Sequence, residues 1–334
     1  MKITIEKALE QNNTIFIDTR SPQEFLIDNI PGSINIPIFD NQERHDIGLL
    51  YKQSRKKAFD LGFNIYNKKM DQLKEGISKL DHKKTLIVYC WRGGMRSKAI
   101  TELVEELGYK TFQLDGGYKS YRTYVRTQLE KYQPPFKFIV LYGLACNGKT
   151  ELIKKLPNSI DLEGLAQHRS SNFGALGLIP NTQKKFETLL LKKLNELKNQ
   201  KFVFIEGESH KVGEVFIPNS IFKGMKQGIA IKVNRSTEKR LKQAVKDYFT
   251  HNEDQKIKEI INSFKQYLSK KIVEDLLRLM DEKNYSEVSK ILLLDYYDLK
   301  YAHQLDNIEY QVEVNSDDIN ECIKELIKFE NSSN

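Results

Sequence analysis

Cys90 is followed within six residues by two arginines and two glycines, in the run Tyr89-Cys-Trp-Arg-Gly-Gly-Met-Arg-Ser97. A glycine-bearing loop that leads into a helix turns backbone N–H groups on an anion, and Arg92 and Arg96 add full positive charges. The same field favours the thiolate of Cys90, which is the nucleophilic form. Cys90 therefore reads as a catalytic nucleophile, with Arg92, Gly93, Gly94 and Arg96 as its oxyanion loop. Five residues separate Cys90 from Arg96, so the arginine stands across the loop from the sulfur.

A second constellation lies at Gly143-Leu144-Ala145-Cys146-Asn147-Gly148-Lys149-Thr150, which fits the phosphate-loop pattern G-x4-G-K-[ST] between an apolar strand and a helix. Glycine lets amides approach phosphate, Lys149 reaches terminal oxygens, and Thr150 supplies a hydroxyl for magnesium. Ala145, Cys146 and Asn147 are expected to supply backbone only, and Cys146 to be redox-inert. Asp161, Glu163, Glu206 and Glu208 follow apolar runs, where an acid can hold magnesium or its water. His168 and Arg169 sit in a polar loop within reach of a phosphate in sequence terms.

The elements that must position these groups alternate between strand and helix. Ile15–Asp18, Thr85–Tyr89 and Thr111–Leu114 are short apolar runs of the buried-strand type. Ser97–Leu107 has helical spacing of apolar residues, with Ser97 as the expected cap at its start and Gly108 at its end. Asn41–Asp81 reads as a lysine-rich, mostly helical insertion. The double proline in Tyr132-Gln-Pro-Pro135 marks a boundary. Beyond it the expected strands are Phe136–Tyr142, Ile160–Leu162, Lys201–Ile205 and Gly228–Val233, and the expected helices are Lys149–Leu156 and Gln183–Lys198. From Ser236 onward the pattern is charged and helical. The fold class is α/β, with an N-terminal domain over 1–131, a linker at 132–135, and a phosphate-loop domain over 136–334 that ends in a basic helical region.

A chain of 334 residues exceeds what one hydrophobic core commonly holds, in keeping with two domains. Its 40% hydrophobic and 29% charged residues are those of a globular protein, and no apolar run approaches the roughly 20 residues that span a bilayer. No membrane partner is expected. The N-terminus lacks the pattern of a secretory signal, so the mature chain is expected to start at Met1 in a reducing cytoplasm. Three scattered cysteines are too few for a disulfide framework or a zinc site. A formal charge of +8 favours a polyanionic partner.

Asp18-Thr-Arg-Ser-Pro-Gln-Glu-Phe25, Asn29-Ile-Pro-Gly-Ser-Ile-Asn-Ile-Pro37 and Leu114-Asp-Gly-Gly-Tyr118 resemble the signatures of rhodanese domains. Rhodanese loops carry sulfur or selenium on their cysteine, and the resemblance gives Cys90 that role. The loop is one residue longer than that of common sulfurtransferases and shares its spacing with cysteine phosphatases and arsenate reductases. Tyr89 stands where those enzymes usually have histidine. Together with Gly143–Thr150, the blocks Glu43–Gln53, Asp161–Arg169 and Ile205–Gly213 resemble the tRNA 2-selenouridine synthase family along essentially the whole chain.

That resemblance implies replacement of sulfur by selenium in the wobble 2-thiouridine of tRNA. Selenophosphate and geranyl diphosphate would be cosubstrates, with an S-geranyl intermediate. The phosphate loop would hold the prenyl diphosphate, Phe173–Ile179 would offer an apolar pocket, and Tyr296, Tyr297 and Tyr301 would be available for base stacking. The motif alone leaves open whether the loop takes this diphosphate or a nucleotide such as ATP, and whether magnesium accompanies it. The alternative is a phosphate-loop kinase or NTPase with a rhodanese-like regulatory module. The oligomeric state is not legible.

Overall fold

The computed structural model describes residues 1–333, apart from the side chain of residue 304. It divides into two compact units, one of residues 1–131 with 187–192 and one of residues 132–186 with 193–334.

In the first unit the order is β1 (Lys2–Ile3), α1 (Ile5–Glu10), β2 (Thr14–Asp18), α2 (Pro22–Ile27), β3 (Ile34–Asn35), α3 (Asn41–Gln53), α4 (Arg55–Lys68), α5 (Met70–Ser78), β4 (Thr85–Tyr89), α6 (Met95–Glu106), β5 (Thr111–Leu114) and α7 (Gly117–Glu130). The strands form one parallel sheet in the order β1-β5-β4-β2-β3. β4 is central and buried from Leu86 to Tyr89, which explains why its sequence is a continuous apolar run. Two capping boxes set helix starts, Ser21 with Glu24 for α2 and Asp40 with Glu43 for α3. The expected cap at Ser97 is corrected: α6 starts two residues earlier, Gly94 is its cap, and Ser97 is buried inside the helix.

Arg20 is fully buried. It donates to both carboxylate oxygens of Asp18 and to the Asp28 carbonyl at 2.7 Å, and its guanidinium lies 3.8 Å from the centre of the Tyr118 ring. This fork joins the turn after β2 to the start of α7. There Tyr118 N donates to the Cys90 carbonyl at 2.8 Å and Lys119 N to the Trp91 carbonyl at 3.0 Å. Gly117, at φ +60°, sits so close beneath that a Cβ would collide with the Cys90 carbonyl and the Gly93 amide.

The second unit holds β6 (Lys137–Tyr142), α8 (Lys149–Lys155), β7 (Ser159–Ile160), α9 (Leu162–Ala166), the two ends of α10 (Gln183–Glu196), β8 (Phe202–Glu206), β9 (Lys211–Val212), β10 (Val215–Phe216), α11 (Asn219–Lys226) and β11 (Ile229–Asn234), while residues 187–192 of α10 group with the first unit. Then come α12 (Thr237–Tyr248), α13 (Asp254–Ser263), α14 (Lys270–Asp281), α15 (Tyr285–Lys290), a π-helical stretch (Ile291–Tyr297), α16 (Asp298–Asp306), β12 (Val312–Asn315) and α17 (Ile319–Ser332). The parallel sheet runs β12-β11-β6-β8-β7, so the strand before the phosphate loop is again central. The strand expected over Ile160–Leu162 stops at Ile160, because Asp161 caps α9 through the Gly164 amide at 2.7 Å. The C-terminal third is not wholly helical, since β12 completes the sheet beside β11.

The helical lobe has its own core, in which Phe173 and Leu176 pack with Ile261, Phe264, Leu276 and Met280. Tyr296 and Tyr297 are buried in the same core, with Tyr301 stacked on Tyr297. They are thus not the exposed stacking platform that the sequence suggested. Among the described residues no helix is long and apolar enough to cross a membrane.

A Gly117→Ala change forces a left-handed alanine, at a cost of about 1–2 kcal/mol, and adds the collision with the Cys90 carbonyl. Calorimetry should show unfolding of the first unit lowered by at least about 5 °C. An unchanged transition would mean that the contact is not tight.

Candidate active site

Cys90 closes β4 at the carboxyl edge of the sheet, and the loop turns immediately into α6. Its Sγ accepts from the Gly94 amide at 3.1 Å and lies 3.2 Å from Ser97 Oγ. Gln113, from β5, donates to Ser97 Oγ at 2.9 Å and to the carbonyls of Gly93 and Gly94 at 3.1 Å. With Gln113 occupying an acceptor position on the hydroxyl, Ser97 keeps its own proton for the sulfur or for the Gly94 carbonyl at 3.1 Å. Burial pushes the Cys90 thiol up, but the Ser97 hydrogen bond, the charge of Arg96 and the Gly94 amide outweigh it and hold the thiol below its ordinary range.

The structure brings Arg96 to this sulfur and leaves Arg92 exposed. Arg96 is steadied by Glu24, which accepts from it at 3.1 Å and also faces Arg44 of α3 at 3.6 Å. Burial raises the Glu24 carboxyl, and Arg96 and the Ser21 amide more than offset this, so Glu24 stays charged. Gly93, at φ +64°, packs under the Leu114 carbonyl. Sequence reading missed Gln113 and Glu24, because neither lies in the cysteine run. Their only signal was position, Glu24 inside the Asp18–Phe25 block and Gln113 in the strand just before the Leu114–Tyr118 block.

In the second unit the loop after β6 wraps into α8. Cys146 and Gly148 both take left-handed backbone, at φ +62° and +79°. Lys149 Nζ donates to the carbonyls of Gly143 and Leu144 at 2.8 and 3.1 Å, so its charge rests against its own loop. Asn147 is more than backbone filler, which corrects the expectation: its Nδ2 donates to the Val233 carbonyl at 2.6 Å and ties the loop to β11. Ser316 Oγ donates to the Asn147 carbonyl at 2.7 Å, and Arg240 Nε to the Ala145 carbonyl at 3.1 Å. Arg240 is itself forked onto Asp298 at 2.6 and 2.9 Å. The Cys146 thiol is pushed up to about 12 by burial, with Asp247 adding to it, so it is no thiolate at neutral pH.

The four candidate acids take different places. Thr150 Oγ1 donates to Glu163 Oε2 at 3.1 Å, and Glu206 Oε2 accepts from the Glu163 amide at 3.2 Å. Glu206 is fully buried, and among the described residues its Oε1 has no hydrogen-bond partner. Burial, with Asp161 and Glu208 nearby, lifts the Glu206 carboxyl to about 8. Burial and Glu206 likewise raise Glu163 well above the usual range. Glu163 and Glu208 line the cavity at the loop, whereas Asp161 caps α9. Arg169 also lines it, donating to the Leu176 carbonyl at 2.8 Å, but His168 is packed against Gly174 and Gly213 instead.

That cavity, of about 880 Å³, runs from residues 143–150 to a wall that includes Leu178, Leu292, Leu293, Tyr297, Tyr301 and Leu305. Of the stretch 173–179, Phe173 and Leu178 reach it, while Ile179 is exposed. Lys149, Lys154, Arg169, Lys226 and Lys246 surround it with positive charge. Among the described residues no group of three or more His, Cys, Asp or Glu is arranged to hold a metal ion. Thr150, Glu163 and the orphaned Glu206 oxygen fit magnesium bound the way phosphate sites bind it, with few protein ligands and the rest from phosphate and water.

Residues 136–282 match the family model described as the tRNA 2-selenouridine synthase AAA domain, and residues 4–124 match the rhodanese-like domain. The tRNA 2-selenouridine synthase of Sulfurovum sp. (strain NBC37-1) is 30% identical over 331 residues, covering 90% of this chain and 91% of that protein. The enzyme of the same name from Shewanella frigidimarina (strain NCIMB 400) is 29% identical over 90% of this chain and 91% of its own length. That of Nitrosomonas eutropha (strain DSM 101675 / C91 / Nm57) is 34% identical over 72% of this chain and 64% of its own length.

Two titrations check this geometry. Iodoacetamide labelling followed across pH by peptide mass spectrometry should modify Cys90 at lower pH than Cys146 or Cys322, and Arg96→Ala should move the Cys90 midpoint upward. Equal midpoints for the three thiols would contradict the electrostatics. For Glu206, a carboxyl with a raised folded pKa favours the folded state while protonated. Its contribution is full below about pH 4.5 and is lost as pH rises through about 8. The melting temperature of the wild type should therefore fall more steeply between about pH 5 and 8 than that of Glu206→Gln, and parallel curves would refute the assignment.

Proposed function

The chain belongs to the tRNA 2-selenouridine synthase family, and from that premise we propose that it exchanges the sulfur of wobble 2-thiouridine in tRNA for selenium, using Cys90 and the loop over residues 143–150. It is a transferase that acts on tRNA in the cytoplasm, with selenophosphate as selenium donor. The observation that carries the finer chemistry is the cavity whose one end is a phosphate cradle and whose far wall is leucine and tyrosine. A diphosphate with a hydrocarbon tail satisfies both ends, and this favours geranyl diphosphate over ATP at Gly143, Leu144, Ala145, Cys146, Asn147, Gly148, Lys149 and Thr150.

In the first step the thiocarbonyl sulfur of the uridine attacks C1 of the geranyl group. A C–S bond forms, the C–O bond to diphosphate breaks, and N3 loses its proton. Lys149 leaves its loop carbonyls for the departing phosphate oxygens, and the amides at the start of α8 share that charge. Magnesium, held by Thr150 and Glu163 with Glu206 behind them, would neutralise the diphosphate further. Arg169 and Glu208 complete the polar end, and Asp161 supports it by fixing α9. His168 has a packing role in this scheme.

In the second step Arg96 and the amides of the loop that includes Gly93 and Gly94 hold the phosphate of selenophosphate, with Arg92 at the rim. The Cys90 thiolate attacks phosphorus, the P–Se bond breaks, and hydroselenide leaves. Hydroselenide adds to C2 of the geranylated base and expels geranyl thiol, and water later frees Cys90 as thiol and phosphate. No oxidant is needed, and the six-residue loop suits a tetrahedral phosphate better than a bare chalcogen.

Nucleoside mass spectrometry of thiolated tRNA incubated with protein, geranyl diphosphate and selenophosphate tests this directly. The wild type should yield geranylated and then selenated uridine. Cys90→Ala should stop at the geranyl stage, and Lys149→Ala should lower geranylation by roughly 100-fold or more. Unchanged thiouridine together with nucleotide hydrolysis by the wild type would replace this reading with the kinase or NTPase one.

A further inference from the structure

The helices α3 and α4 carry an exposed aromatic and basic face that neither active loop uses. Tyr51, Phe59 and Phe63 are each about half exposed, at 52%, 51% and 53%, and Leu49 beside them is 48% exposed. Phe59 and Phe63 stack one helical turn apart, with ring centres 6.2 Å apart and planes at 11°. Arg55 lies over the Tyr51 ring at 5.6 Å. Half-exposed aromatics grouped along two consecutive helices mark an interaction site, since water contact forfeits the burial they would gain in the core.

The inward side of the same helices is fully accounted for: Ala58 and Gly62 are buried, and Gly62 packs on Phe39 and Ile47. On the outward face Tyr51, Phe59 and Phe63 stay half exposed.

Its charge identifies the partner. From Asn41 to Lys69 the chain has seven lysines and arginines against three acids. Glu43 is spent on Lys69, and Asp46 accepts from Gln42 at 2.9 Å. Among the described residues Lys52, Lys56 and Lys57 are exposed and make no ion pair. A second copy of this chain docked symmetrically here would bring like charges face to face. An RNA loop instead offers phosphates to the lysines and unpaired bases to the rings.

The face also adjoins the cysteine site. Gln23 N donates to Asn41 Oδ1 at 2.9 Å at the start of α3, and Arg44 shares Glu24 with Arg96 of the Cys90 loop. Tyr51 is two turns further along α3, about 10 Å from Arg44 along the axis. That is within the span of a few nucleotides.

We propose that the α3–α4 face, through Tyr51, Phe59, Phe63, Lys52, Arg55 and Lys56, is a docking surface for the single-stranded loop of the tRNA substrate. It seats the RNA beside the Cys90 loop by base stacking and phosphate contact. This rests on the reading of tRNA as substrate.

The test measures binding of thiolated tRNA by fluorescence anisotropy across salt, for the full chain and two variants, Phe59→Ala/Phe63→Ala and Lys52→Ala/Arg55→Ala/Lys56→Ala. Stacking lost from one or two bases should weaken binding by the aromatic variant about tenfold or more at every salt concentration. Loss of three phosphate contacts should reduce the salt slope by about 2. Hydrogen exchange of the wild type should slow over residues 41–69 when tRNA is added, a readout that holds even if a variant unfolds.

Wild-type affinity in both variants, with no added protection over 41–69, overturns the docking surface while leaving tRNA as substrate. Conversion of a dimer to a monomer by the aromatic variant at unchanged tRNA affinity also overturns it, in favour of a self-interface. If the wild type binds no tRNA, the substrate reading and the docking surface both fall.

Discussion

A parallel strand that is buried on both faces can carry chemistry only where it ends, and both sites of this protein obey that constraint. Each lies at the carboxyl end of the central strand of a five-stranded parallel sheet, β4 before Cys90 and β6 before Gly143. There the chain must reverse into a helix, and the unpaired amides of the first helical turn collect at one point. A thiolate and a phosphate are both anions, and the same piece of backbone architecture suits either. The units differ in what they add to it: a nucleophile in one, an apolar cavity in the other.

Neither loop holds itself in place. The cysteine loop is gripped from β5 by Gln113, from α2 by Glu24, and from the start of α7 by two amides. The last of these depends on the buried Asp18–Arg20 fork against Tyr118, where losing one partner would strand a buried charge at a cost of about 3–5 kcal/mol. The phosphate loop is gripped by Asn147, Arg240 and Ser316, which join it to β11, α12 and the end of β12. In the proposed function the motif residues meet the substrate, and residues scattered far along the chain fix where those residues point.

The two sites also contrast in electrostatics. Around Cys90 the charges cooperate: Arg96 and the Gly94 amide favour the thiolate, and Glu24 holds Arg96. Around Thr150 they conflict, because Glu206 is buried beside the half-buried Glu163 and both are driven toward their neutral forms. Such a pair opposes its own ionisation until a cation or a proton is present. Buried like charges weaken the folded state, and their place beside a phosphate loop fits a site organised for a ligand rather than for stability.

Patterns that are local in the chain were legible in the sequence: alternating strands and helices, and the glycine, arginine, lysine and cysteine spacing of the two loops. These follow from backbone geometry over a few residues, which spacing records. Strand β12 was missed because Val312–Asn315 is short and polar on one side, and pairing with β11 is what makes it a strand. Ser97 was read as a cap because its type suits one, whereas the strand before it set the helix start and turned the hydroxyl to the sulfur. The spacing of Tyr296 and Tyr297 fits a core as well as a stacking platform, since spacing on a helix does not say which side faces the core, and packing puts them in it. The exposed rings of α3 and α4, the orphaned oxygen of Glu206 and the roles of Gln113 and Arg240 all depend on which distant segments meet. Burial is a property of the packed chain, and no run of adjacent residues encodes it.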